Sequence, residues 1–263
     1  YGLDLSEYEF FGEKPLKDAV QVCGKLVNRA GAMELIADAD FIIEHSDVIK
    51  LVTLAPEMDE GHKCIKKLAA ESDVLVSMGH TDAKFEEAMS AAKDGVNHAT
   101  HLFNAMSALA HRNPGVVGAA LASNNVSVEV IADTFHINPG LYSIIAKVKG
   151  DKMVLITDCT RAGGMPDGEC DLGGLTGYIS GGVARLADGT IAGAITNLFQ
   201  GMRNAILFGI PECDAVRAAT YNPACAISRQ DEIGSIETGK LADFLVCSPD
   251  YSEKRVFLGG KEI

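Results

Sequence analysis

A chain of 263 residues holds one large α/β domain or one domain with a small appendage, and its 47% hydrophobic content supports a sizeable core. The formal charge of −13, from 36 acidic against 23 basic residues, excludes nucleic acid as the main partner, because phosphate backbones need a basic surface. No apolar run reaches the roughly 18 residues of a membrane span, and no signal-peptide layout is read at the start.

Strand and helix patterns alternate along the chain. A weak strand is read in GLDLSEYEFF (2–11), and VIKLVTLAP (48–56) is the first clear one. A helical stretch follows at 62–72 with Ile65, Leu68 and Ala69 on one face, then the strand DVLVSMGH (73–80). The next helix, 82–95, spaces Phe85, Ala88, Met89 and Ala92 for burial, and GVNHATH (95–101) is a short strand. Strand 126–133 precedes a helix over 137–150, with Asn138 as N-cap, Pro139 at the first helical position and Gly150 as the stop. Its expected core stripe is Leu141, Ile144, Ile145 and Val148, and MVLITD (153–158) closes the series. Near-continuous apolar strands alternating with helices predict a parallel sheet with right-handed crossovers.

Beyond 158 the pattern changes. The Gly-rich segment 167–194 reads as hairpins, a helical pair follows at 197–208 and 212–220, and 241–263 reads as two strands with a Gly-Gly turn. The expected organisation is barrel elements over 1–166, a β-hairpin excursion into a small β-domain at 167–195, terminal barrel helices at 196–240 and closing strands at 241–263.

Chemistry-bearing residues stand at the ends of successive apolar runs: His80, His101, His136 and Asp158. In an (β/α)8 barrel the catalytic groups come from the C-terminal ends of strands, so three imidazoles and a carboxylate there point to a metal-hydrolase site. His98 and His101 cannot face the same side of an extended strand, so His101 is taken as ligand and His98 as packing. Histidines from separate strands with a carboxylate suit Zn2+ or Fe2+. Asp158 reads as a general base, against the bland alternative of a turn cap. His136 is a ligand, an acid or a substrate contact. Arg112, on the loop AHRNPG, offers a planar fork for phosphate or carboxylate. Dinucleotide-binding, P-loop and serine-nucleophile patterns are absent. Seven dispersed cysteines without a CxxC pair suit a reducing, cytoplasmic setting, and Cys159 reads as a small buried hydrophobe.

The strings VTLAPE (52–57), SMGHTDA (77–83), ATHLFNAM (99–106), RNPGVVGAAL (112–121), IADTFHI (131–137), ITDCTRAGGMPDGE (156–169) and GTIAGAI (189–195) together resemble the N-acetylglucosamine-6-phosphate deacetylases, a branch of the amidohydrolase superfamily. The resemblance implies a (β/α)8 TIM-type barrel, incomplete at its N-terminus, with a small β-sandwich domain. It implies hydrolysis of the acetamide of N-acetylglucosamine 6-phosphate in a homodimer. Carried over by motif, His80 and His101 are metal ligands, and Asp158 is the general base and a possible second-metal ligand. Asn104 and Ala105 contact the phosphate. His136 and Arg112 hold the substrate, with the Arg reaching the neighbouring subunit's site. The family pattern G-x-H-x-E-G-P meets GLDLSEYEF (2–10) here, with Asp4 in the His place and Ser6 in the Glu place, and no His falls near 18–21. The alternative expectation is therefore an impaired or truncated relative that binds a sugar phosphate without turnover.

Overall fold

The computed structural model describes residues 39–172 and 175–263. The weak strand expected at 2–11 and the family positions at Asp4, Ser6 and 18–21 lie outside them. The chain divides into two compact units, one ending at Asn125 and one beginning at Val126.

In the first unit, helix α1 (Ala39–Glu44) is followed by β1 (Leu51–Leu54), α2 (Lys63–Glu71), β2 (Leu75–Met78), α3 (Phe85–Asp94), β3 (His98–Ala99) and α4 (Gly115–Ala122). β1 and β2 pair in parallel from Leu51↔Leu75 to Leu54↔Met78, and β2 pairs β3 through Ser77↔His98 and Met78↔Ala99. The predicted alternation is therefore observed, with each strand shorter than its apolar run. Ile65, Leu68, Val76 and Met78 are fully buried. α2 begins where the buried Asp59 carboxylate accepts the N–H groups of Cys64 (3.1 Å) and Ile65 (2.9 Å), satisfying two of the helix's otherwise unpaired donors. α3 turns Ala88 and Ala91 fully inward, while Phe85, Met89 and Ala92 of the expected face are half-buried. α4 reads GVVGAALA, apolar on every side, and is correspondingly buried from Gly115 through Ala120.

The second unit opens with β4 (Ser127–Ile131), α5 (Tyr142–Lys149) and β5 (Met153–Ile156), the two strands pairing in parallel from Val128↔Met153 to Ile131↔Ile156. Asn138 caps a 3-10 turn at Pro139–Leu141 through Gly140 N–H (2.9 Å), ahead of α5. The expected core stripe of α5 needs correction. Ile145 is buried, but Ile144 and Val148 are 51% and 54% exposed, and Tyr142 and Lys149 take the inner positions instead. Both carry long apolar bodies with polar tips, which an apolar-only criterion passes over.

Next comes an antiparallel sheet, β6 (Gly168–Asp171), β7 (Thr176–Ser180) and β8 (Val183–Leu186), in that order. Helices α6 (Leu198–Leu207), α7 (Glu212–Ala219) and α8 (Tyr221–Ala226) follow, so the expected helical pair is a trio. The chain closes on the antiparallel strands β9 (Phe244–Cys247), β10 (Lys254–Leu258) and β11 (Lys261–Glu262), with Gly259 and Gly260 in left-handed turn positions between the last two. Among the described residues there are thus five parallel strands and two three-stranded antiparallel sheets, an α/β architecture with separate β elements. No helix among them is long and apolar enough to cross a membrane.

Candidate metal centre and substrate-holding residues

β2 and β3 are adjacent parallel strands, so the residues just past their ends are neighbours. Gly79 follows β2 and His80 follows Gly79. An ideal Cβ at Gly79 would stand 2.7 Å from Thr100 Cβ and 2.9 Å from Thr53 Cγ2, so only glycine lets the chain leave β2 at this point. Beneath this turn, Thr100 Oγ1 lies 2.9 Å from Thr53 Oγ1 and 2.6 Å from Ser77 Oγ, a hydroxyl cluster that ties the three strand ends together.

On that base His80 (φ 49°) and His101 (φ 34°) both adopt left-handed backbone, and their Nε2 atoms face each other at 2.8 Å with ring centroids 4.5 Å apart. Left-handed backbone at non-glycine residues costs of order 1–2 kcal/mol each, and such strain concentrates at functional sites. His101 is buried and His80 half-buried. The turn bearing His80 is fixed by Glu57, whose carboxylate accepts Thr81 Oγ1–H (2.5 Å) and Asp82 N–H (2.8 Å). Glu57 was not singled out from sequence, although VTLAPE places it just past a strand end.

The two converging imidazole nitrogens fit a divalent cation. Their separation is within roughly 0.6 Å of that between two imidazole ligands of one tetrahedral zinc. Among the described residues no group of three or more His, Cys, Asp or Glu gathers in metal-binding geometry, so the expected set is represented by this pair. His98 is 2% exposed within β3.

The turn after β3 also carries Asn104 and Ala105. Asn104 Nδ2 donates to the carbonyls of His101 and Leu102 (3.2 Å each), and the left-handed Ala105 (φ 47°) accepts Thr81 N–H through its carbonyl (3.0 Å). Arg112 is exposed on the loop ahead of α4, its Nη1 2.8 Å from His111 Nε2.

In the second unit, Asp158 lies two residues past β5 with left-handed backbone (φ 51°), exposed, its carbonyl accepting Ala194 N–H (2.9 Å). Cys159 beside it is exposed, which corrects its reading as a buried hydrophobe. The six cysteines among the described residues are free thiols. His136 closes the turn after β4 and is paired with Asp133, Nδ1 to Oδ2 at 2.6 Å. Asp133 was missed from sequence, although an Asp three residues before a His just past a strand end is a readable signal.

A model of the amidohydrolase family matches residues 21–263. The chain belongs to the amidohydrolase family. Among individual amidohydrolases, it is 41% identical over 209 residues to N-acetylglucosamine-6-phosphate deacetylase of Bacillus subtilis strain 168, covering 79% of this chain and 52% of that protein. Its fold superposes on the crystal structure of the Pasteurella multocida N-acetylglucosamine-6-phosphate deacetylase with TM-score 0.79 and 34% identity, over 85% of this chain and 59% of that one. A mutant of the Mycobacterium smegmatis deacetylase, in complex with N-acetyl-D-glucosamine-6-phosphate, superposes with TM-score 0.78 and 34% identity, over 86% and 61% of the two chains. This amidohydrolase thus spans little more than half the length of the relatives it matches.

Proposed function

We propose that this amidohydrolase hydrolyses the acetamide of N-acetylglucosamine 6-phosphate to glucosamine 6-phosphate and acetate. The observation that carries the reading is the pair of strained imidazoles, His80 and His101, converging from adjacent strand ends in a chain 41% identical to a deacetylase with that substrate in its name. His80 and His101 would hold a divalent cation, Zn2+ or Fe2+ by donor type. Bound there, such a cation polarises the acetyl carbonyl and brings the pKa of a water to about 7. Asp158, as general base, takes the proton of the attacking water and returns it to the departing amine, so that water and amide become acetate and free amine. Arg112, with its planar fork, and His136 position the 6-phosphate end of the substrate, helped by the turn at Asn104 and Ala105. The reading extends to a cytoplasmic homodimer in which Arg112 serves the neighbouring subunit, and to a (β/α)8-type barrel with a small β-sandwich.

Acetate release from N-acetylglucosamine 6-phosphate, measured with Zn2+ or Fe2+ added and with chelator, tests it. Metal-dependent release that disappears in His80→Ala is expected. Folded, metal-supplemented protein that releases no acetate would rule the reading out.

A further inference from the structure

The turn after β4 contains a histidine–carboxylate pair whose geometry exceeds what the turn requires. Asp133 Oδ1 accepts the backbone N–H groups of Phe135 and His136, both at 2.9 Å, which by itself completes the turn. Oδ2 is left over for a separate task and accepts His136 Nδ1–H at 2.6 Å. The two side chains are 3% and 7% exposed, so water does not compete for this bond. The segment around them is clamped from two helices. Asn204 Nδ2 of α6 donates to Ala132 O (2.8 Å), and the left-handed Thr134 (φ 73°) donates its N–H to Tyr142 Oη of α5 (3.0 Å).

We infer that Asp133 is a positioning residue that fixes His136 in the tautomer protonated at Nδ1, so that Nε2 alone meets the substrate. The inference rests on the deacetylase reading for the identity of that substrate. Burial pushes the Asp133 carboxyl up, but the ring N–H of His136 and the backbone N–H groups of His136 and Phe135 outweigh it and hold it below the usual range. An ionised carboxylate only accepts, so Nδ1 carries the proton. Nε2 is then the ring atom left to meet the substrate.

Asp133→Asn separates this role from the structural one. Its Oδ1 still closes the turn, but its amide faces Nδ1 with a donor and forces the ring proton to Nε2. The full chain, reconstituted with Zn2+, is compared as wild type, Asp133→Asn, His136→Ala and the double variant. KM is expected to rise on the order of ten- to hundredfold in Asp133→Asn, the range for one lost charge-assisted hydrogen bond. Its kcat should change less and its urea midpoint should stay near wild type. In the His136→Ala background the second change should add nothing further, since Asp133 acts through the ring. Imidazole 15N spectra should place the His136 proton on Nδ1 in wild type and on Nε2 in Asp133→Asn. A wild-type ring protonated at Nε2, or an unaltered KM in Asp133→Asn, would overturn the inference. Wild type that releases no acetate would defeat the deacetylase reading alone, because the spectra still decide the tautomer.

Discussion

Gly79→Ala probes the base of the proposed metal centre through one carbon atom. The backbone at Gly79 is not left-handed, so the effect is purely one of space. The added Cβ would meet Thr100 Cβ at 2.7 Å, Thr53 Cγ2 at 2.9 Å and Thr100 Oγ1 at 3.1 Å. Carbon pairs prefer roughly 3.5–4.0 Å, so the first two contacts are short by about 0.6–0.8 Å or more. Rotation of Thr100 cannot relieve the first, since Cβ is fixed to the backbone, and its hydroxyl is engaged by Thr53 and Ser77. β2 and β3 must therefore part, at a cost of about 1–3 kcal/mol for an overpacked core. With a urea m-value of roughly 2–3 kcal/mol/M, a loss near 2 kcal/mol lowers the unfolding midpoint by about 0.7–1 M. Because His80 follows Gly79 and His101 follows Thr100, the same displacement separates the rings, and zinc affinity measured by competition with a chromophoric chelator should fall too. Thr53→Ser, which removes Cγ2 and keeps the hydroxyl, should restore part of both losses. A Gly79→Ala protein with unchanged urea midpoint and zinc affinity would refute the argument that this glycine sets the spacing of the pair.

Two further outcomes are expected. Asp158→Asn keeps the shape of the side chain and removes its basicity, so kcat for acetate release should drop by roughly 10²–10⁴ with KM little changed; wild-type turnover would exclude Asp158 as the base. Burial, with a smaller push from Lys152, lowers Lys149 from 10.5 to about 8, so above pH 8 the unfolded chain binds the extra proton and stability rises with pH. Cys64, pushed up from 9.0 to about 11 by burial and by Asp59, opposes this above pH 9, because there the folded state holds the proton. Between pH 8 and 9 Lys149 therefore acts without that opposition, and Lys149→Met should flatten the rise in urea midpoint across this interval.

Much of this arrangement was legible in the chain because period and position carried it. The apolar runs 73–80 and 153–158 end in a polar residue, and that residue does stand just past β2 and β5. The Gly-rich stretch read as hairpins forms β6, β7 and β8. What failed to show was polar chemistry in apolar settings. Tyr142 is fully buried because its hydroxyl accepts Thr134 N–H, a bond between a helix and a turn that no local pattern announces. It rotates the inner face of α5 away from Ile144 and Val148. α8 was hidden by Pro223, which ordinarily ends a helix, yet here sits in the first turn, where its missing N–H has no intrahelical role. Asp133 and Glu57 escaped notice because a carboxylate near a turn is usually only a cap. Glu57 is distinguished by accepting from Thr81 and Asp82, beside His80 and 25 residues away in sequence in the second case.

The distribution of backbone strain supports placing the chemistry at these strand ends on grounds independent of sequence likeness. Non-glycine residues with positive φ among the described residues include His80 after β2, His101, Phe103 and Ala105 after β3, Thr134 after β4 and Asp158 after β5. Glycine would adopt each of these conformations with less strain, at about 1–2 kcal/mol per position. Stability alone would therefore favour glycine at His80, His101 and Asp158. Hydrogen bonds offset the strain around them, from Glu57 to Thr81 and Asp82, from Asn104 to His101, and from Ala194 N–H to Asp158. These bonds hold the backbone where it is. Within each unit, then, side chains just past strand ends are kept against a local energetic preference, and strain of that kind concentrates at functional sites more often than in plain packing.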